Sequence, residues 1–373
     1  MTSRAIVISK GLHPPWNMGE VVLARNFTKI LTELYDEVSV YSTIDRVRGS
    51  SEGLDAKPQF DIEFRPDEGT LKNAVLNELS RSPRSDVHLI NISLAKFLNV
   101  AKKAYRAYFY QFAYNIFNDP NLILRSIGVL PLTYLGNIRI ITTSPRSYIY
   151  LSNFFRRNYY YVPAPIDPPV FSEEPGLIEE FDHRLRIFYL GHGSYLRFPY
   201  DRVLKAISRL KKEGNNIELN LYISKQGYVN YVDFTTGLEK AVKRLSLEEA
   251  VKIYLRNLSE AEKWSVICEN HVLLFPPLTN AAIDPPLVIL ESMFMGRCIV
   301  ATPVQSIPYL LKDGRGVIID KRKLEVDIYK VIRRLQDKLV LLKTYCTNSR
   351  RWVSESHSMD VVRDKMREIL DEP

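Results

Sequence analysis

The chain has 373 residues, 46% hydrophobic and 25% charged, so it is a folded protein with a real core, and its length fits two domains better than one. Its three cysteines, Cys268, Cys298 and Cys346, are odd in number and far apart, which argues against a disulfide framework or zinc site and fits a reducing, cytoplasmic setting. The net charge of +8 is spread along the chain and favours acidic partners such as nucleotide phosphates, anionic lipid heads or nucleic acid, or else only a solvated basic surface.

Met1–Arg4 leads straight into a strand pattern, so no secretory leader is expected. Ala5–Ser9 is a continuous apolar run, as in a buried parallel strand. The loop Lys10–Gly19 follows, then helical spacing over Glu20–Leu34 and a second strand at Val38–Tyr41. This strand–loop–helix–strand unit is the opening of a doubly wound domain. Gly19 at the helix entrance can offer backbone N–H groups to an anion, or be a plain connecting turn. Arg46–Lys57 reads as a loop, Gln59–Phe64 as a strand, Leu71–Leu79 as a helix and Asp86–Ile92 as a strand with His88 and Asn91 near its end. A satisfied structural histidine is the plain alternative for His88.

Lys96–Phe117 is predicted helical, with Lys102, Lys103 and Arg106 interleaved with Tyr105, Tyr108, Phe109 and Tyr110. Such a mix suits a core helix with a solvated face, a membrane interface, or single-stranded nucleic acid. No nucleic-acid motif accompanies it. The most apolar window, Leu122–Ile141, is broken by Arg125, Pro131 and Arg139 and makes a poor membrane span. Arg139–Thr143 is a strand, Tyr148–Phe155 a helix and Tyr159–Val162 a short strand; the proline-dense Pro163–Phe171 is the candidate linker.

Strand–helix alternation then restarts. Arg186–Leu190 is a strand ending in Gly191-His192-Gly193, Asp201–Lys212 a helix, Glu218–Ile223 a strand, Ser224–Thr236 a loop holding Lys225, and Gly237–Leu245 a helix. Val251–Tyr254 is a strand and Glu260–Cys268 a helix. From His271 to Asp320 the pattern reads strand, loop, helix, strand, loop, short helix, strand. Leu287–Met295 is its apolar helix, opened by Pro285-Pro286, closed by Gly296 and carrying one acid, Glu291. Ile328–Leu342 and Trp352–Leu370 are helical.

In a parallel sheet all strand carboxyl ends share one edge, so His192, Arg197, Lys225 and Arg256 are placed to converge there. Together with the dipole of the helix starting near Leu287 they would neutralise a diphosphate, and Glu291 would accept ribose hydroxyls. Each charge alone is equally a surface group. The chain lacks a P-loop, a full dinucleotide fingerprint, a His-Glu-x-x-His pair and a Gly-x-Ser-x-Gly elbow.

Several stretches carry a resemblance over nearly the whole chain: HPPWNMGEVVLARNFTKIL, IITTSPRSYIYL, YYYVPAPIDPPVF, IFYLGHGSYLRFPYDRVLKAISRLKKEG and LLFPPLTNAAIDPPLVILESMFMGRCIVAT. They resemble the nucleotide-sugar glycosyltransferases of the GT-B fold, most closely family 4. The resemblance implies an α/β protein of two Rossmann-like doubly wound domains facing a central cleft. Residues 1–168 would be the acceptor side, 169–350 the donor domain, and 351–373 a helix crossing back. It implies a retaining, metal-independent sugar transfer from a UDP- or GDP-sugar to a glycan, lipid-linked or small-molecule acceptor, with no cofactor, no nucleic acid, and peripheral membrane contact as an option. Glu291 would hold the donor ribose. Leu287 and Val288 would approach the phosphates. Arg197 falls near the family's phosphate-binding Lys and His192 near its Arg. Gly19 and Gly191, with Lys225 and Arg256, would line the nucleotide, and His88 and Asn91 the acceptor side.

The departures are specific. The family's first glutamate, eight residues before Glu291, is Ile283, with Asp284 the nearest acid and candidate substitute. The later Gly-Gly-x-Pro-Glu is Gln305-Ser306-Ile307-Pro308-Tyr309, and the usual Gly-Phe-Gly is Asp284-Pro285-Pro286. Two further readings therefore stand beside the enzyme: a binding or scaffold protein that kept the fold without catalysis, and a basic nucleic-acid binder.

Overall fold

The computed structural model describes residues 3–13, 18–43, 60–112, 136–155, 158–169, 184–225, 231–280 and 283–372. The chain divides into two compact units. The first is Met1–Asp167 with Ala282–Pro285 and Ser356–Pro373; the second is Pro168–Ala281 with Pro286–Glu355. The expected loop at Arg46–Lys57, the apolar window up to residue 135, and the end of the linker beyond Pro169 lie outside the described residues.

The first unit is built on strands β1 (Arg4–Lys10), β2 (Glu37–Thr43), β3 (Glu63–Arg65), β4 (Asp86–Ile90), β5 (Ala107–Gln111), β6 (Ile138–Thr142) and β7 (Tyr159–Tyr161), in the order β3-β2-β1-β4-β5-β6-β7. All pairs are parallel, with Val7 opposite Val40 on one side and His88 on the other. Its helices are α1 (Gly19–Leu34), α2 (Glu68–Arg81), α3 (Leu98–Lys103), α4 (Pro145–Phe155) and α12 (Met359–Asp371). Asp67 and Thr70 close a capping box at the start of α2.

The predicted helix Lys96–Phe117 is corrected. It breaks at Ala104, whose backbone is extended, and Ala107–Gln111 is a fully buried strand between β4 and β6. A run of aromatic residues suits a central strand better than a helix. The part beyond Phe112 lies outside the described residues.

A buried polar network runs through β4. Arg106 grips Asp86 with two bonds of 3.1 and 2.8 Å, and the Tyr35 hydroxyl donates to the same carboxylate at 2.7 Å. Having given its proton to Asp86, Tyr35 must accept from His88 Nε2 at 3.1 Å, which leaves His88 Nδ1 to accept from the Tyr110 hydroxyl at 2.9 Å. The His88 ring stacks on Tyr108 at 4.7 Å. Arg106 and Arg139 also donate to the last carbonyls of α12, those of Leu370 and Ile369. Charges at a helix carboxyl end satisfy its orphan carbonyls and its dipole, and here they fix the chain's last helix to the sheet.

The second unit has strands β8 (Leu185–His192), β9 (Ile217–Ser224), β10 (Val251–Tyr254), β11 (Val272–Phe275), β12 (Cys298–Ala301) and β13 (Val317–Ile318), ordered β10-β9-β8-β11-β12-β13 and all parallel. Its helices are α5 (Tyr200–Lys212), α6 (Tyr231–Arg244), α7 (Glu260–Glu269), α8 (Leu287–Phe294), α9 (Ile307–Leu311), α10 (Leu324–Asp337) and α11 (Leu339–His357), the last running into the first unit. On α5, Val203, Leu204, Ile207 and Leu210 are all fully buried, each contributing roughly 1.5–3 kcal/mol by its transfer from water.

Three helix boundaries differ from expectation. α6 begins at Tyr231, inside the predicted loop, and carries Gly237 in its interior because the Tyr200 hydroxyl packs where a Cβ would stand. The predicted helix Ile328–Leu342 breaks at Lys338, where α10 ends. Trp352–Leu370 is likewise two helices. His357 Nδ1 meets the Ala164 carbonyl at 2.9 Å, Ser358 bridges Ile166, and α12 starts afresh at Met359. No described helix is long and apolar enough to cross a membrane.

Burial, aided by the Arg106 guanidinium, pushes the His88 imidazole down to about 3 from its ordinary 6.5. Between those values the unfolded chain binds a proton that the folded one does not. Stability is therefore complete above pH 6.5 and falls as pH drops, by at most about 1.4 kcal/mol per unit. Hydrogen exchange of the β4 amides between pH 7 and pH 4.5 should follow this slope, and His88→Phe should flatten it.

Candidate nucleotide-binding site

From β8 the second unit's chain moves outward through β9 and β10, then returns to lay β11, β12 and β13 on the other side of β8. β8 and β11 are thus neighbours whose following segments leave in opposite directions. That is the switch point at which open α/β sheets form a ligand crevice, at the strands' carboxyl ends.

The loops at this edge are tied together. The Leu278 N–H donates to the Leu196 carbonyl at 2.8 Å, joining the loop after β11 to the turn after β8. Thr302, just past β12, donates its hydroxyl to the Pro277 carbonyl at 2.6 Å. The turn after β8 closes through Arg197 N–H to Ser194 carbonyl at 3.0 Å and is anchored by Phe198, fully buried against Tyr189. Gly191 and Gly193 permit this crowding. A Cβ on Gly191 would lie 2.7 Å from the Tyr189 hydroxyl, and one on Gly193 within 2.9 Å of Tyr231 and Ile223.

The predicted cations divide into two groups. His192 ends β8 opposite Ser224 of β9, and Lys225 follows directly, so both stand at the same edge. Asn257 Oδ1 accepts from the Ser224 hydroxyl and the Lys225 N–H, at 2.9 and 3.1 Å, and holds the end of β9 in place. Arg197 is half-buried and Lys225 exposed, and neither side chain has a carboxylate partner among the described residues. Arg256 is different: its guanidinium is paired with Glu262, which also completes a capping box with Ser259. It serves the start of α7.

α8 is the short helix behind the crevice. Pro286 is its N-cap and Leu287 and Val288 its first residues, whose N–H groups have no intrahelical acceptor. Its end is a Schellman turn: Gly296 N–H reaches the Met293 carbonyl at 2.9 Å and Arg297 N–H the Ser292 carbonyl at 2.8 Å, with Gly296 at φ 65°. Glu291 lies one turn in and is buried, and its Oε1 is 2.5 Å from Lys263 Nζ of α7. The Lys263 ammonium lies over the Trp264 ring at 5.3 Å.

The first-unit candidates lie within their own unit. His88 is enclosed in the core, its two nitrogens both engaged by tyrosines, so it has no atom for an acceptor and the structural alternative holds. Asn91 ends β4 at φ 52°, with its amide 3.4 Å from the Lys10 carbonyl. Gly19 opens α1, and residues 14–17 before it lie outside the described residues. Asp284 belongs to the first unit. Its N–H donates to the Phe112 carbonyl at 2.8 Å, its carbonyl accepts from Thr143 at 3.0 Å, and its carboxylate takes the hydroxyl of Ser144. Ser144 also accepts from the Ser147 N–H at 3.0 Å at the start of α4. A carboxylate is stabilising at such a helix start, so Asp284 has a structural use that its sequence position did not reveal. Tyr309 stays in the second unit, packed edge-on to Trp352 at 6.2 Å, while Arg315 covers that indole at 4.1 Å and donates to the Tyr309 carbonyl.

Lys263, Asn257 and Ser144 were missed from the sequence. Only Lys263 left a signal. It precedes Val266 and Ile267 by three and four residues, so it sits on the apolar stripe of α7, where a lysine needs a partner.

Residues 184–338, which contain the whole second sheet, match the family described as Glycosyl transferases group 1. No curated protein matches the chain in sequence. Among solved structures the chain is similar to Anabaena HepE in complex with UDP and glucose, at 12% identity, TM-score 0.73 and full coverage of both chains. It is similar to a glycosyltransferase from Rickettsia africae ESF-5, at 13% identity, TM-score 0.70 and full coverage of both. It is also similar to an α,α-trehalose-phosphate synthase (UDP-forming) from Burkholderia xenovorans in complex with glucose-6-phosphate, at 12% identity and TM-score 0.70, covering 99% of this chain and 100% of that one. The fold is GT-B.

Breaking a buried ion pair by removing one partner costs about 3–5 kcal/mol, whereas replacing both partners with apolar groups is often neutral. Lys263→Met should therefore destabilise the second unit by about 3 kcal/mol, and Lys263→Met/Glu291→Met should recover most of it in denaturant titrations.

Proposed function

We propose that this chain is a glycosyltransferase that moves a sugar from a UDP- or GDP-sugar to a glycan or lipid-linked acceptor, with retention of anomeric configuration. The observation that carries the reading is the topology of the second sheet: Arg197 follows β8, Lys225 follows β9 and α8 follows β11, all at the carboxyl edge around the β8/β11 switch point, with the buried Glu291 one turn into α8. Cations and a helix amino end beside one acid suit a nucleoside diphosphate, phosphates on the basic side and ribose at the acid.

In the reaction the bond from the sugar's anomeric carbon to the β-phosphate oxygen breaks, a bond to the acceptor hydroxyl oxygen forms, and the proton of that hydroxyl passes to the departing diphosphate. Negative charge builds on the departing diphosphate. Arg197, Lys225 and the N–H groups of Leu287 and Val288 would stabilise that charge as it develops. These groups occupy the role a metal ion would otherwise take. Three reduced cysteines suit a cytoplasmic setting, and the net charge of +8 favours work near an anionic membrane surface.

A second reading, nucleotide-sugar binding without transfer, is favoured by one observation. Asp284 is engaged by Ser144, and Tyr309 is packed on Trp352, so neither position presents a ready carboxylate for sugar hydroxyls.

A panel of UDP-, GDP- and ADP-sugars separates the readings. Donor turnover, or protection of the chain from thermal unfolding by one nucleoside diphosphate together with sugar release, is the expected result. Protection without turnover on any acceptor selects the second reading, and neither effect removes both. In the active case Arg197→Met should lower kcat/KM about a hundredfold, the scale of one preorganised charge-stabilising group. Arg256→Ala should stay within about threefold, since an exposed pair with Glu262 contributes little.

A further inference from the structure

We infer that Lys263 and Glu291 read the nucleotide's ribose as a donor–acceptor pair, the ammonium donating to one of the two vicinal hydroxyls and the carboxylate accepting from the other. This rests on the nucleotide-sugar reading above and adds a residue to it.

The pair is placed where water hardly reaches, with side-chain exposures of 16% for Lys263 and 5% for Glu291. The helices that carry it are mostly apolar where they are buried: Trp264, Val266 and Ile267 on α7, Leu287, Ile289 and Leu290 on α8. Two apolar side chains would fill that space at least as stably as two charges, because desolvating an ion pair offsets its attraction. Stability alone therefore gives no reason for charges here.

The hydrogen-bond inventory supplies one. An ammonium has three N–H donors and a carboxylate two oxygens. One donor meets Oε1 at 2.5 Å. Among the described residues, Lys263 has no second acceptor, and Glu291 Oε2 has no donor. What remains is a donor and an acceptor side by side, one turn inside the helix whose start lies at the switch point. The Trp264 ring and the Oε1 contact hold the ammonium on two sides, so its remaining hydrogens have a limited range of directions.

A vicinal diol matches that arrangement: one hydroxyl accepts from Nζ, its neighbour donates to Oε2. A carboxylate without a lysine would instead have to accept from both hydroxyls. The two modes differ in what a missing hydroxyl does. With the pair, each hydroxyl answers to a different residue. Losing either leaves one buried charge short of a partner and weakens binding about tenfold to a hundredfold, the range of a hydrogen bond to a charged group.

The experiment is calorimetric titration of the full chain with UDP, 2′-deoxy-UDP and 3′-deoxy-UDP, and with the guanosine counterparts. The wild type should prefer the ribonucleotide over each deoxy analogue by at least about tenfold. Lys263→Met should bring one analogue to within about threefold of the ribonucleotide and leave the other discriminated. Glu291→Gln should do the reverse, and Lys263→Arg should keep the wild-type pattern. Lys263→Met/Glu291→Met, which buries no lone charge, should discriminate neither and serves if the single variants do not fold. Wild-type ratios in Lys263→Met, or in the double variant, overturn the inference while leaving nucleotide binding in place. If the wild-type chain binds no uridine or guanosine nucleotide, the underlying reading fails and takes this one with it.

Discussion

Every paired strand in both sheets runs parallel to its neighbours. That single constraint forces each connection to cross over the sheet and each strand of a sheet to end at the same edge. Residues far apart in sequence, such as His192, Lys225 and Leu287, are thereby delivered to neighbouring positions without any need for side chains to find one another. The order β10-β9-β8-β11-β12-β13 then decides where at that edge a ligand fits, because only between β8 and β11 do the following segments diverge. The hydrogen bonds from Leu278 to Leu196 and from Thr302 to Pro277 act on this layout by fixing loops that topology has already brought close.

Within that frame the cations sort by what already holds them. Arg106 and Arg139 satisfy carbonyls at the end of α12, and Arg256 is taken by Glu262. Arg315 lies on Trp352. These groups stabilise the chain's own helix ends and rings, and their charge is largely answered locally. Arg197 and Lys225 have no such answer among the described residues, which is why they, and not the net charge of +8, carry the phosphate argument.

Local patterning made most of the elements legible. Leu287–Phe294 announces itself through Pro286 before it and Gly296 after it, and the structure shows a Schellman turn at that glycine. The pattern failed where tertiary placement overrides it. Tyr105–Tyr110 mixes charge and aromatic residues as an amphipathic helix would, yet from Ala107 on a central strand takes it, paired on both edges by β4 and β6 and buried along its length. The break at Ser358 is set by a contact with Ile166, nearly two hundred residues away, and no local signal encodes that. The site shows the same division. Sequence spacing locates Glu291, but not that Lys263 holds it, and it locates Asp284, but not that Ser144 does.

Those last two acids define opposite fates for a carboxylate. Asp284 is fixed through its carboxylate, its N–H and its carbonyl together, at the start of a helix whose dipole favours a negative charge. Turning its carboxylate to a ligand would forfeit the Ser144 contact, while its two backbone bonds leave the residue little room to move. Among the described residues Glu291 has one oxygen held and one open, and its partner retains donors of its own. A residue that is half satisfied in a dry setting is under pressure to find the rest of its bonds, and the inferred ribose diol would supply them. Under the proposed function, neither Asp284 nor the position of Tyr309 offers an open carboxylate to the sugar, which leaves backbone groups and neutral side chains at those two positions. Hydrogen bonds from neutral groups are weaker and less selective than those from charged ones. Under the proposed function, the expected consequence is a site stringent about its nucleotide and permissive about the sugar it carries.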